Sequence, residues 1–276
     1  MNADDAVLGV RQGPVLTVVL NRPHHKNAMT EHSWALLGRI LNDARTDATV
    51  RVVVITGAGG DFCAGADLSE ARSQRHPLDR MRSLGDTALT LHDLPQPVIA
   101  KVEGAAVGAG WNLALGCDLV VASTTARFSQ IFARRGLSLD FGGSWLLPRI
   151  AGLQQAKRLA LLADFVDADE ALRLGLVTWV KPPEQIDAFV GDLAARLAAG
   201  PPVAMAQSKL MLNEAAGRTL REALENESRA QTVNFATDAP AARRAFLTRT
   251  EPRFAGEWQL PSDNATSDNA TIGTGT

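Results

Sequence analysis

The chain has 276 residues, of which 46% are apolar and 21% charged, with a formal net charge of −2. That length and apolar share suffice for a buried core, and the near-neutral balance without a basic block excludes a nucleic-acid surface. No apolar run reaches the ~20 residues of a bilayer span, the opening MNADDAVLGV is no cationic-then-apolar leader, and Cys63 and Cys117 have neither metal-ligand nor CxxC spacing, so a reduced, soluble, cytoplasmic protein is expected.

In chain order, VLTVVLNRP (15–23) is the first β-branched run and reads as a strand. Apolar positions at helical spacing follow from about Glu31 to Ala44. VRVVVITG (50–57) is the next strand and runs into the glycine-containing turn GAGGDFCAGADL, where Asp67 is placed to cap a following helix. A second helix is expected from Leu78 to His92, then the strand PVIAKVEG (97–104) and a second small-residue turn, AAVGAG. An apolar helical run begins near Trp111, followed by the strands DLVVAS (118–123) and LVTWV (176–180). Strands separated by helices predict an α/β fold with a largely parallel, buried sheet.

Strands stop after roughly Pro182, and the helices that follow are broken at AAGPPVA and TDAPAA, where proline ends or restarts a helix. The expected organisation is an α/β core over 1–199, a helical C-terminal part over 200–260, and a tail over 261–276. The tail, PSDNATSDNATIGTGT, is small and polar with an imperfect SDNAT repeat, so disorder is expected. Without a secretory signal its two N-A-T sequons carry little weight.

Two glycine turns that each follow a strand carry the main chemical signal. The second places Gly108 and Gly110 before the helical run, but Leu113 stands where a dinucleotide fingerprint needs its third glycine. A packing turn is the plainer reading of that segment alone. Taken together, two such turns after adjacent strands can aim two N–H groups at one oxygen, which is the geometry of an oxyanion hole. Further on, FSQIFARRGLSLDFGGSW (128–145) holds one acidic residue, Asp140, among apolar residues and glycines. It reads either as a catalytic acid or as a turn residue.

Other candidates carry less. His24 and His25 are adjacent, so in an extended segment they would face opposite sides, and a metal pair is not expected. Ser144 lacks the G-x-S-x-G elbow because Leu146 holds the last glycine place. Cys63 has no His or cation in its local sequence and is expected to be buried and inert.

LNRPHHKNAM, VVVITGAGGDFCAGADL, KVEGAAVGAGWNLALGCDLVVAS, ARFSQIFARRGLSLDFGGSWLLPR, EALRLGLVTWV and RRAFLTRTEPRF together closely resemble the crotonase, or enoyl-CoA hydratase/isomerase, superfamily. The likeness runs from about Val15 to Phe254. It implies a crotonase spiral of ββα units with a C-terminal helical part used in trimerisation, with trimers often pairing into hexamers. It also implies an acyl-CoA substrate, whose thioester oxygen would lie between the backbone N–H groups of Ala66 and Ala109. Coenzyme A contacts would fall on Lys26, Ala28, Ala64 and Leu68, and on Phe246 and Arg249 from the C-terminal part, a guanidinium suiting a phosphate.

Two departures bear on the reaction. Hydratases of this family use two glutamates, and the matching places here hold Asn112 and Phe132. Neither side chain exchanges a proton in the required way. This pattern, with GLSLDFGGSWLLPR, looks most like the ring-epoxide isomerases of phenylacetate breakdown and their double-bond-shifting relatives. The resemblance thus assigns acid/base work to Asp140, with Asn112, Phe132, Trp111, Phe141 and Trp145 shaping the pocket. Phe132, Phe141 and Trp145 would exclude water and raise the acid's pKa. Coenzyme A enters as part of the substrate, and no metal or redox cofactor is implied. The alternatives are a hydratase with non-standard residues and a catalytically silent acyl-CoA-binding subunit.

Overall fold

The computed structural model describes residues 6–69 and 75–258, and in it all five expected strands join one six-stranded sheet. The strands are β1 (Val7–Gln12), β2 (Val15–Leu20), β3 (Val52–Gly57), β4 (Val98–Val102) and β5 (Ala105–Val107). They continue with β6 (Leu119–Ser123), β7 (Arg127–Ser129), β8 (Val166–Asp167) and β9 (Trp179–Lys181). The large sheet runs β1-β2-β3-β4-β6-β9, parallel throughout except for the antiparallel β1–β2 edge. A small sheet of order β5-β7-β8 lies apart from it.

Helices α1 (Glu31–Thr46), α2 (Pro77–His92), α3 (Ala109–Leu115), α4 (Gly143–Ala151), α5 (Leu153–Leu162), α6 (Ala168–Arg173) and α7 (Pro183–Ala199) complete the first of two compact units, which divide between Ala199 and Gly200. Alternate side chains of a strand face opposite ways, and the sheet uses both faces. Val52, Val54, Ile99 and Val121 pack against Ile186, Val190, Leu193 and Ala194 of α7. Val53, Ile55, Ala100 and Ala122 face the main core with Trp34, Leu37 and Leu41 of α1. Each fully buried aliphatic side chain contributes about 1.5–3 kcal/mol. This double covering explains the near-continuous apolar runs that made these strands readable.

The repeating unit is a strand in the large sheet, a short strand in the small layer, then a helix. β4–β5–α3 follows it, and so does β6–β7 with the 3-10 turn Ile131–Arg135 leading toward α4. In the same manner β3 leads to an isolated bridge between Cys63 and Ala106, and a second bridge pairs Met29 with Ala66. The small layer is therefore a ladder of bridges made by the loops that leave the large sheet.

Two local expectations are corrected. Among the described residues Asp67 caps no helix: its carboxylate accepts from the Ser69 hydroxyl at 2.6 Å, pairs with Arg22 at 2.8 Å and accepts from Ser69 N at 2.9 Å, holding its pKa down to about 2. Helix α2, expected from Leu78 to His92, runs from Pro77 to His92 with His76 as its cap. The strand expected to run to Gly104 ends at Val102, because Gly104 turns the chain with φ +54. A side chain at Gly104 would overlap Gly60 and Asp61, so only glycine lets the two loops meet there.

The second unit contains α8 (Pro202–Glu214), α9 (Leu220–Phe235) and α10 (Ala239–Thr248). Thr219 and Glu222 form a capping box at the start of α9. The buried Asp238 accepts from the first-turn amides of Val203 and Ala204 at 3.0 and 3.1 Å, closing α10 onto α8. Leu212, Leu220, Phe235, Phe246 and Leu247 are exposed in this unit. The tail expected to be disordered lies outside the described residues. No helix among the described residues is long and apolar enough to cross a membrane.

Candidate active site

The ladder of short bridges forms one side of a cleft of about 730 Å³. Its best-fixed part is the segment from Cys63 to Asp67. Cys63 N donates to Ala105 O at 2.9 Å and Cys63 O accepts from Val107 N at 2.9 Å. Ala64 N donates to Lys26 O at 2.9 Å, Gly65 O accepts from Met29 N at 2.7 Å, and Asp67 N donates to Met29 O at 2.9 Å. Gly65 N donates to Cys63 Sγ at 3.4 Å, so the amides on either side of Ala66 are spent. Among the described residues the Ala66 N–H has no protein acceptor, and it lies on the cleft wall.

The second turn behaves alike. Gly108 takes φ +56 and ψ −125, its N–H donates to Ser129 O at 2.8 Å, and its carbonyl accepts from Asn112 N at 3.0 Å. The next amide, of Ala109, has no acceptor among the described residues and lines the same cleft. The turns touch: a Cβ on Gly65 would sit 2.7 Å from Val107 O and 3.7 Å from Ala109 N, while one on Gly110 would lie 2.7 Å from Cys63 Cβ. The glycines thus serve close packing of the two turns, and that packing brings two unspent N–H donors to one cleft.

Asp140 lies on the cleft wall with Phe132 and Leu137. Its carbonyl accepts from Gly143 N and from the Asn112 side-chain amide, both at 2.9 Å. The next two residues are left-handed, Phe141 at φ +44 and Gly142 at φ +79. A left-handed phenylalanine costs about 1–3 kcal/mol. Its ring lies buried against Trp34 at 4.8 Å between centroids, which offsets that cost. The turn is therefore pinned into the core on one side and presents Asp140 to the cleft on the other. Asp140 Oδ1 is buried with no hydrogen-bond donor among the described residues. Burial alone pushes the carboxyl pKa up from 3.8 to about 6.

The other expected site residues divide. Phe132, Lys26, Ala64 and Leu68 line the cleft, with Lys26 Nζ 3.7 Å from Asp61. Ala28 is buried and its carbonyl is taken by Arg22, so it does not line the cleft. Trp111 is no pocket wall: it is fully buried and packs on Phe128, 5.2 Å between centroids. Phe141 faces the core, for the reason just given. Trp145 is 39% exposed and sits between His92, at its edge, and Arg149, 3.9 Å above its ring. Of the three aromatics expected to keep water from the acid, only Phe132 is on the wall. Asn112 has no exposure and contacts the Asp140 loop rather than the cleft. Phe246 is exposed on α10 in the second unit, and Arg249 ends that helix in a left-handed conformation.

Sequence reasoning missed Asp61, Arg127, Ile131, Arg135, Leu137 and Phe165 on the wall. Ile131 and Leu137 bracket Phe132 and were findable as its neighbours. Phe165 comes from the loop after α5 and gave no local signal.

Residues 11–257 match the sequence model of the family described as enoyl-CoA hydratase/isomerase, and the chain belongs to that family. It is 35% identical to the 1,2-epoxyphenylacetyl-CoA isomerase of Escherichia coli strain K12, over 88% of this chain and 95% of that protein. It is also 35% identical to the short-chain-enoyl-CoA hydratase of Clostridium acetobutylicum, over 87% and 93%. Among solved structures, an enoyl-CoA hydratase from Polaromonas sp. JS666 superposes with a TM-score of 0.85 at 34% identity, over 90% of this chain and 99% of that one. The fold is the crotonase fold.

Proposed function

We propose that the chain is an acyl-CoA isomerase that moves a double bond, or opens a ring epoxide, beside a coenzyme A thioester. One observation carries the reading: the cleft combines two unspent backbone amides, Ala66 and Ala109, with a desolvated carboxylate, Asp140. The places of the two glutamates of a hydratase hold Asn112, which is out of the cleft, and Phe132, which cannot carry a proton.

In this reading the thioester oxygen accepts from Ala66 N–H and Ala109 N–H. The Asp140 carboxylate takes the α-proton of a β,γ-unsaturated acyl group, and the electron pair moves onto the thioester oxygen as an enolate. Each amide contributes roughly 3 kcal/mol to holding that charge. Protonated Asp140 then returns the proton at the γ-carbon, the double bond becomes conjugated with the thioester, and the carboxylate is restored. A base pushed up to about 6 is ionised at neutral pH and strong enough to take a proton from an acidified carbon. Lys26, Arg127 and Arg135 on the cleft wall supply positive charge for the phosphates of coenzyme A, and the reaction needs no further cofactor. The exposed apolar residues of the second unit suit self-association as a trimer or a pair of trimers.

The test is turnover of a 3-enoyl-CoA in deuterated buffer by wild type and Asp140→Asn. Conversion to the 2-enoyl isomer that disappears in the variant is the expected result. Water addition to a 2-enoyl-CoA without isomerisation would assign a hydratase, and tight acyl-CoA binding without turnover a silent subunit.

A further inference from the structure

Two fully buried side-chain amides lie behind the cleft wall, and neither touches the cleft. Asn112 Nδ2 donates to the main-chain oxygen of Asp140 at 2.9 Å, and Asn112 Oδ1 accepts from Gln130 Nε2 at 2.8 Å. The bond to a carbonyl, which can only accept, fixes which end of Asn112 is nitrogen, and this in turn fixes Gln130. The main chain of Asn112 is equally committed: its N–H donates to Gly108 O at 3.0 Å, one residue before the Ala109 amide. Gln130 follows Ser129, whose carbonyl accepts from Gly108 N at 2.8 Å. Gly143 closes the junction, since a Cβ there would lie 2.7 Å from Asn112 Cγ.

The geometry points to Asn112 and Gln130 as a positioning pair: one buried amide, braced by another, fixes the distance between the amide turn at Gly108–Ala109 and the acid at Asp140. The inference rests on the proposed role of Asp140 and deepens it. Asn112 spends its donor on the backbone carbonyl of Asp140 and leaves Asp140 Oδ1 without a donor among the described residues. It orients the acid without stabilising its charge, whereas a donor aimed at the carboxylate would weaken it as a base. An asparagine that instead bound substrate would need a free end facing the cleft, and both ends of this side chain are engaged.

The experiment measures isomerisation of a 3-enoyl-CoA, binding of unreactive butyryl-CoA, and the pH profile of kcat, for Asn112→Leu, Gln130→Met and the double variant. The expected loss in kcat is about 10- to 100-fold for Asn112→Leu and about 3- to 10-fold for Gln130→Met. KM and butyryl-CoA affinity should stay within about twofold. The acidic limb of the profile should move down as the released carboxylate reaches water. The double variant should lose no more than Asn112→Leu alone, because Gln130 acts only through Asn112. A folded Asn112→Leu with kcat within twofold of wild type overturns the inference. So does a loss of kcat matched by a loss of affinity with an unmoved acidic limb. Should Asn112→Leu fail to fold, Gln130→Met decides alone by the same split between kcat and KM. Activity retained in Asp140→Asn would instead sink the role of Asp140 itself. Activity lost there but kept in Asn112→Leu sinks only the positioning role.

Discussion

Replacing Asp140 by asparagine keeps the side chain's shape and removes its titration, so it separates what the carboxyl does for turnover from what it does to stability. Burial raises this carboxyl from 3.8 to about 6. Between about pH 4 and 6 the folded chain therefore holds more protons than the unfolded one, and stability falls as pH rises through that window. Above about 6 the penalty is complete, and below about 4 it is gone. A pKa difference of about two, at about 1.4 kcal/mol each, gives an upper bound near 3 kcal/mol. Asp140 is only partly buried at an open cleft, so about 1–2 kcal/mol is the expected size. The assay is urea unfolding of wild type and Asp140→Asn at pH 8 and pH 4.5. Roughly a third of the penalty is already set at pH 4.5, so the variant's gain in stability at pH 8 should exceed that at pH 4.5 by about two thirds of this amount, and taking the difference cancels any fixed cost of burying an amide. A difference below a few tenths of a kcal/mol would refute the claim that this carboxylate is held in the cleft at the expense of the fold.

Gly65→Ala places a Cβ 2.7 Å from Val107 O at a residue with φ +90. It should separate the two amide turns and lower kcat at least ~100-fold, about the loss of one oxyanion donor, with circular dichroism unchanged. Phe141→Ala empties the contact with Trp34 and should cost about 3–5 kcal/mol in urea unfolding, with activity falling because the Asp140 turn loses its anchor. Asp238→Ala removes the acceptor of two first-turn amides of α8. It should lower stability by about 1–2 kcal/mol, a loss read by the midpoint of thermal unfolding.

The large sheet was legible because Val52–Ile55 and Val98–Val102 are buried on both faces, which leaves unbroken apolar runs. Strand β1 was missed because it is an edge strand, mostly exposed, and its mixed pattern carries no period. β5, β7 and β8 have two or three residues each, too short for any alternation to register. The two amide turns could be read because glycines mark places where backbones must approach. The aromatics could not: Trp111, Phe141 and Trp145 lie within six residues of predicted site residues, yet each turns away from the cleft. The left-handed backbone at Phe141, which sends its ring to the core and its neighbour to the cleft, has no signature in composition. Asn112 was singled out at a place where the resemblance puts a glutamate in hydratases, but its partner Gln130 is 18 residues away and is joined to it only by the fold.

The two unspent amides at Ala66 and Ala109 belong to the main chain, and every residue except proline carries such a group. Their presence therefore does not depend on which side chain stands at either position, provided the small layer of bridges keeps its register. Point mutation acts readily on the walls around them, on Phe132, Arg135, Leu137 and Phe165, while the two amides persist. With the two amides holding the thioester as proposed, such a scaffold can drift from one thioester reaction to another without passing through a form that has lost that hold.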